Sequence, residues 1–376
     1  MRVSFSELDN LLSRTPVMGE IHPLAPLALS AGTKITGDSH GFARELDNQI
    51  LHEETPHLML DANRLLSSRF PRVTMMDHPP IDLLNTNMGS HLEYARSALL
   101  TNHKIAEYIQ ADIAKHPSDV VVLFLVDGLG YRDVSNWHGE IQPCFIDGPS
   151  VTYRFYEDNK DKIVETVGFA SIINRPSVYQ RLYDLGYHHA RGYTYWEPDS
   201  NAIADFMFAG IPYERVSNFD TIVMFLEREQ LLPHTYIQLV RQGLDGLAHG
   251  KRELHSREID MAAQSILADV KRLQEILQRK RMRARIYLTA DHGILWRKEL
   301  QPVQVIQALK DSHARFAERR PEGAISNSWV RFENSFVPYY LFRFPFLGTQ
   351  LKNNDNGVHG GLSYQESIVP FIKFEV

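Results

Sequence analysis

Six side chains in this sequence could together hold divalent cations: Asp127, Asp245, His249, Asp291, His292 and His359. Three acids follow apolar, strand-like runs. VVLFLVDG, IQLVRQGLDG and IYLTADHG each pass, at once or within a few residues, into an aspartate beside glycine or histidine-glycine. In a parallel sheet such ends gather at one edge, where open α/β sheets place their sites. Three carboxylates meeting there repel one another unless something positive lies between them, and a divalent metal is the simplest candidate. The histidines fit the same purpose. LDGLAHG sets Asp245 and His249 four apart, a spacing that puts both on one face of a helical turn. TADHG makes Asp291 and His292 neighbours, and VHGGLS offers His359 before two glycines that let backbone approach closely. Aspartate oxygen and neutral imidazole nitrogen suit zinc, manganese and related ions. Each piece alone is weak: an Asp-Gly or His-Gly is more often a turn, Asp-x-x-x-His is more often a surface pair or cap, and Asp127 alone reads equally as a cap after a strand. The ordered set carries the signal.

The elements that must position these groups alternate between strands and helices. VVVLFLV is short, β-branched and bounded by glycine, as a strand buried on both faces should be. Apolar residues Leu92, Ala95, Leu99, Ile105, Ile109 and Ile113 predict a helix before it. QPCFIDGPSVTYRF reads as strand or loop, and the polar YEDNKDK as an exposed loop. Residues 166–185 read as helical with a break at Pro176, YHHARGYTYW as a strand, and TYIQLVRQG as another. A long helix is predicted from Ser256 to Arg281, with Ile259, Ala263, Ile266, Val270, Leu273 and Leu277 on one face and Ser256 able to cap it. RIYLTADHG, VPYYLFRF and SIVPFIKFEV complete the strands. This alternation predicts an α/β fold with a mainly parallel sheet. Residues 1–90, rich in Pro, Gly and small polar residues, predict short helices and loops packed on the rest.

With 376 residues the chain can bury a large core. Its net charge of −6 supplies no global basic field to recruit nucleic acid, though a bound metal could still offer local positive charge to a nucleotide. The single cysteine, Cys144, rules out an intrachain disulfide and a cysteine-rich zinc site. No stretch has the apolar length of a signal peptide or membrane span, so a cytoplasmic protein is expected.

The ordered ligand set resembles the alkaline phosphatase superfamily, with its nucleotide pyrophosphatase/phosphodiesterase and phosphomutase branches. It is similar above all to the PglZ-domain family, whose ending is like VHGGLSYQESIVPF at residues 358–371. The resemblance spans roughly residues 115–376 and implies an alkaline phosphatase-like sandwich, a central mainly parallel sheet flanked by helices, over residues 91–376. It implies two divalent metals, Zn2+ first and Mn2+ second. Asp245, His249 and His359 would hold one, and Asp127, Asp291, His292 and a nucleophilic hydroxyl the other. In relatives that hydroxyl belongs to a Thr or Ser opening a helix of small and apolar residues. ETVGFASIINRP assigns it to Thr166, although Glu165 stands where relatives often carry proline; Thr152, in GPSVT, is the rival. A helix N-terminus also suits a phosphate.

The activity so implied is a metal-dependent phosphodiesterase acting on nucleotide or oligonucleotide diesters, in a bacterial phage-defence or signalling setting with protein partners. A phosphomonoesterase or phosphomutase on the same metals, or an inactive scaffold in a defence complex, are the alternatives. A sulfatase is not expected, because PCFIDG lacks the Cys/Ser-x-Pro-x-Arg stretch. Tyr193, Tyr195 and Trp196 could stack a nucleobase, although an alternating strand with core aromatics is the plainer reading. Lys251 could reach a phosphate, the basic RKRMRAR reads as favourable charge at a helix end, and KNNDNG reads as a turn presenting His359.

Overall fold

The computed structural model describes residues 96–97, 99–134, 137, 140–157, 160–165, 168–173, 176–196, 201–250, 254, 256–296, 304–305, 315–317, 329–332, 335–338, 345–346, 356–362 and 364–376. The chain divides into two compact units. One comprises Leu99–Ile294, Asn353–Gly360 and Glu366–Val376; the other comprises Met1–Ala98, Leu295–Lys352 and Gly361–Gln365. The expected extension over residues 1–90 lies outside the described residues.

The first unit is built on an eight-stranded sheet: β1 Leu100–Thr101, β2 Val120–Asp127, β3 Glu140–Phe145, β4 His189–Thr194, β5 Tyr213–Arg215, β6 Thr235–Gln242, β7 Ala284–Ala290 and β8 Ile368–Glu375. Their order across the sheet is β1-β3-β8-β7-β2-β6-β4-β5. All neighbours pair in parallel except β8, which runs antiparallel to both β3 and β7. The α/β fold with a mainly parallel sheet is therefore as expected. The reversed direction of β8 was not readable, because an apolar run looks alike in either direction.

Every residue of β2 is buried. Successive side chains of a strand point to opposite faces, so both faces are covered. The covering helices are α1 Ile105–Lys115, α2 Phe169–Ile173, α3 Val178–Tyr183, α4 Asn201–Met207, α5 Phe219–Arg228, α6 Asp245–Ala248 and α7 Ser256–Arg279. On one face Tyr236 of β6 stacks on Tyr179 of α3, and Phe371 of β8 meets Tyr108 of α1. On the other face Phe124 of β2 meets Phe219 of α5, and Arg241 of β6 pairs with Asp269 of α7. The α7 stripe buries all six apolar residues expected of it. Full burial of such a side chain stabilises by about 1.5–3 kcal/mol, which explains why the periodic helix formed as read.

Two expectations are corrected. The helix expected from Leu92 onward does not run unbroken to His116: Leu100–Thr101 forms β1, and α1 begins only at Ile105. Pairing with Cys144 and Phe145 of β3 satisfies that backbone instead. The segment YEDNKDK is not a loop throughout, because Thr152–Glu157 and Lys160–Glu165 pair as an antiparallel hairpin. Its polar residues show no apolar alternation, so the strand signal was missing. In the other unit, Trp329–Phe332 pairs with Ser335–Pro338, and Ala317 bridges to Phe336. Of the strand expected over 337–344, residues 339–344 lie outside the described residues. Among the described residues no helix is long and apolar enough to cross a membrane.

One buried charge network ties α1 to the sheet. Asp112 accepts from Arg285 and from the Tyr287 hydroxyl, and Lys373 stands 3.9 Å away. Burial alone would raise the Asp112 carboxyl, but these partners lower it below the usual range. Asp112→Ala is expected to destabilise by about 3–5 kcal/mol, because it strands a largely buried guanidinium. Urea unfolding would show it as a lower midpoint, and a loss below about 1 kcal/mol would place this pair with ordinary surface ion pairs.

Candidate metal centre

The centre lies where three adjacent strands end. In register, Val126 sits beside Ala290 and Asp127 beside Gln242. Asp127 is the last residue of β2, Asp291 follows β7 at once, and Asp245 opens α6 just past β6. The three acids therefore stand together because β7, β2 and β6 are neighbours.

Glycines permit the close approach. Gly128 has φ of +73°, and a Cβ there would lie 3.0 Å from Asp245 N, 3.1 Å from Asp245 Cβ and 3.2 Å from His292 Cε1. At Gly243 a Cβ would stand 2.3 Å from the Asp127 carbonyl oxygen, which cannot give way without moving β2. Gly128→Ala combines a left-handed backbone with three tight contacts. It is expected to cost about 1–3 kcal/mol and to weaken metal binding, read from paired thermal melts with and without added Zn2+. A variant that melts and binds like the parent would show that the turn is not constrained.

Asp127, Asp291 and His292 are nearly buried, at 8%, 6% and 3% exposure. Asp291 Oδ1 accepts the amides of Gly128 and His292, both at 3.0 Å. His292 Nδ1 lies 3.0 Å from the Gly293 carbonyl, and His359 Nδ1 lies 2.7 Å from the Ser150 carbonyl. A carbonyl can only accept, so each Nδ1 carries the proton and each Nε2 faces inward. His292 Nε2 stands 3.6 Å from Asp127 Oδ1 and 3.5 Å from Asp291 Oδ2. His359 Nε2 stands 3.4 Å, and His249 Nε2 3.3 Å, from Asp245 Oδ1. That oxygen is buried and, among the described residues, has no hydrogen bond of good geometry. The His292 and His359 rings stack face to face at 3.7 Å.

These separations are long for hydrogen bonds. They match two ligands of one ion: with tetrahedral bonds of about 2.0–2.1 Å, ligand atoms stand about 3.3 Å apart. The donor set, the orphaned Asp245 Oδ1 and the inward Nε2 atoms thus fit divalent metals. Two groups have ligand atoms all within 4.8 Å of one another: Asp127, Asp291 and His292, and Asp245, His292 and His359. The first brings together three members of one expected set, whose fourth, Thr166, lies outside the described residues. The second differs from the other expected set: His292 belongs to both groups, while His249 touches Asp245 from a half-exposed position outside the tight cluster.

Electrostatics agree with this arrangement. Burial, then the charge of Asp245, raises the Asp127 carboxyl, opposed by His292 and by the Trp196 side chain hydrogen-bonding to it. Burial pushes Asp291 up to about 7. Burial would lower His292, but Asp291, Asp127 and Asp245 together raise it to about 10. Burial would likewise raise Asp245, yet His249, His359 and His292 hold it below the usual range. A proton on His292 Nε2 therefore does, in part, what a cation between the carboxylates would do.

The remaining expected site residues fall in several places. Thr166 and Lys251 lie outside the described residues. Thr152 opens the hairpin opposite Glu165. Tyr193 is 1% exposed and stacks on Phe225, so it offers no face to a substrate. Tyr195 turns its hydroxyl to Asp269 under the Arg241 guanidinium, away from the centre. Tyr193 belongs to the core between β4 and α5, whereas Tyr195, just past β4, is half-buried and held by Asp269 and Arg241. Trp196, packed on Phe169, is the one aromatic of the three at the centre, and it reaches Asp127.

Sequence reasoning missed the backbone partners. The Ser150 carbonyl, which orients His359, belongs to a loop anchored by Asn102: its Oδ1 accepts Asp147 N–H at 3.1 Å and its Nδ2 donates to Ser171 Oγ at 2.6 Å. A carbonyl carries no residue-type signal. The glycine after Asp127 was the available hint of close approach.

Among solved structures, the chain is similar to murine ectonucleotide pyrophosphatase/phosphodiesterase 5, with 13% identity, a TM-score of 0.41, and coverage of 67% of this chain and 87% of that one. It is also similar to the C-terminal periplasmic domain of phosphoethanolamine transferase EptC from Campylobacter jejuni, with 12% identity, a TM-score of 0.34, and coverage of 69% and 80%. The corresponding EptC domain from Escherichia coli, in complex with Zn, matches at 11% identity and a TM-score of 0.29 over 47% and 64%. No family model and no curated protein sequence matches the chain. At such identities and scores neither a family nor an activity transfers to it.

Proposed function

We propose that this chain is a metal-dependent phosphodiesterase of the alkaline phosphatase type, acting on nucleotide or oligonucleotide diesters. The observation that carries the reading is the convergence of three strand-end carboxylates with two imidazoles whose Nε2 atoms face carboxylate oxygens at 3.4–3.6 Å. Asp127, Asp291 and His292 would hold one ion, and Asp245, His359 and His249 the other, with His292 close to both. Bound there, two divalent ions would screen the phosphate charge, stabilise the leaving oxygen and lower the pKa of a hydroxyl nucleophile. Gly293 and Ser150 keep the imidazoles in the ligating tautomer. The glycine turn at Gly128 and the buried ends of β2 and β7 hold the carboxylates rigidly, as a ligand set requires. Thr166 is the proposed nucleophile. Its Oγ would bond to phosphorus as the P–O bond to the leaving alcohol breaks, and that alcohol would take a proton. Water would then cleave the Oγ–P bond, releasing a phosphomonoester and restoring the hydroxyl. The PglZ-like ending at residues 358–371 extends the proposal to a phage-defence or signalling setting and rests on that resemblance alone.

The test is elemental analysis of the purified protein with hydrolysis of bis-p-nitrophenyl phosphate and p-nitrophenyl phosphate. Near-stoichiometric zinc or manganese with preferred diester cleavage is expected. Preferred monoester cleavage would move the assignment to a phosphatase or phosphomutase. No metal and no turnover, even with added Zn2+, Mn2+ or Mg2+, would leave a scaffold.

A further inference from the structure

We infer that Asn356 is a positioning residue for the metal centre, fixing the turn that carries Asp245 and His249 against the segment that carries His359. The inference rests on the metal-dependent reading above. Helix α6 is a single turn, Asp245–Ala248, with His249 at its end. So short a helix satisfies few of its own last carbonyls. The Leu247 carbonyl accepts Gly250 N–H at 3.2 Å, and Asn356 adds donors to this end of the turn. Its side-chain NH2 donates to the carbonyls of Leu247 and Gly250, both at 3.1 Å, and its backbone N–H donates to Ala248 at 2.7 Å. These three bonds bracket His249 on both sides. Three residues further on, His359 turns Nε2 to Asp245 Oδ1 at 3.4 Å.

The chemistry selects asparagine. An amide NH2 donates to two carbonyls from one neutral planar group. A carboxylate at this position would set oxygen against two carbonyl oxygens, and alanine would leave both carbonyls without this donor. Gly250 is part of the fit: a Cβ there would come 3.1 Å from the Leu247 carbonyl oxygen and 3.5 Å from Asn356 Nδ2. The two segments are more than a hundred residues apart in sequence, so chain connectivity does not set their spacing. Groups that orient ligands from outside typically change metal affinity by about 10–100-fold when removed.

Zn2+ affinity of the chelator-treated full chain, measured against a chromophoric chelator, and Co2+ absorption spectra would be compared for the parent, Asn356→Ala and the isosteric Asn356→Asp. Both variants are expected to bind Zn2+ about 10–100-fold more weakly and to show a changed Co2+ spectrum, while their metal-free thermal midpoints stay within a few degrees of the parent. Parent-like affinity and spectrum in the variants would overturn the inference. If the parent itself binds neither ion, the metal reading fails. The imidazole 15N–1H signals of His249 and His359 in metal-free protein then decide the positioning role alone: shifted in both variants it stands, unshifted it falls.

Discussion

Raising the pH from 6 to 9 is expected to lower the thermal midpoint of chelator-treated protein and to enlarge the gain from added Zn2+ or Mn2+. The sign follows from two groups. Asp291, pushed by burial to about 7, binds a proton in the fold that the unfolded chain releases near its ordinary value of 3.8. Its contribution is therefore greatest at low pH and is lost as pH rises through about 7. His292 would be lowered by burial, but its acidic neighbours raise it from 6.5 to about 10. Its stabilisation is complete below 6.5 and lost as pH rises through about 10. Both slopes run downward between pH 6 and 9. A bound cation reverses the trend, because it neutralises the same carboxylates and needs Nε2 free of its proton. At free metal about 100-fold above the dissociation constant the gain is about 2.7 kcal/mol, a shift of several degrees in a domain of this size. Melts with and without metal at pH 6, 7.5 and 9 would check this. A midpoint gain independent of pH, or no gain, would contradict a proton-for-metal exchange at His292.

Asp291→Asn is expected to have opposite effects on the metal-free fold and on function. The amide oxygen can keep both bonds from Gly128 and His292 that the carboxylate accepts. The substitution removes one of three converging charges, so metal-free protein should melt higher than the parent at pH 8, where Asp291 is largely ionised. The same lost charge removes a ligand, and diester hydrolysis should fall on the order of 10²–10³-fold or more, the scale of losing one group that stabilises developing charge, here through the ion it would hold. Bound metal per chain should fall in parallel. A variant that melts higher and still hydrolyses at the parent rate would place the chemistry elsewhere. One that melts lower in the absence of metal would show that the carboxylate is structural.

Long or continuous signals were legible. β2 and the α7 stripe have patterns that a single burial geometry explains, and both formed as read. Short or polar elements were not. β1 has two residues and no period, and the hairpin at 152–165 pairs through backbone groups that carry no side-chain pattern. The aromatic run from Tyr193 to Trp196 fitted two readings; burial and stacking on Phe225 made Tyr193 core, while partners alone separated Tyr195, bonded to Asp269, from Trp196, which reaches Asp127.

Residue types and order along the chain determined by themselves that acids follow strands, that Asp245 and His249 share a turn, and that glycines border the acids. These are local facts, set by strand and helix periods of a few residues. Only the tertiary structure decided which strands are neighbours, and hence that Asp127, Asp245 and Asp291 meet. It also placed His292 between two groups, left His249 at the edge, and turned both imidazoles inward through the carbonyls of Gly293 and Ser150. The physical reason is the same in each case. Strand order, ring tautomer and ligand spacing depend on backbone groups brought together from distant parts of the chain, and every residue carries the same backbone.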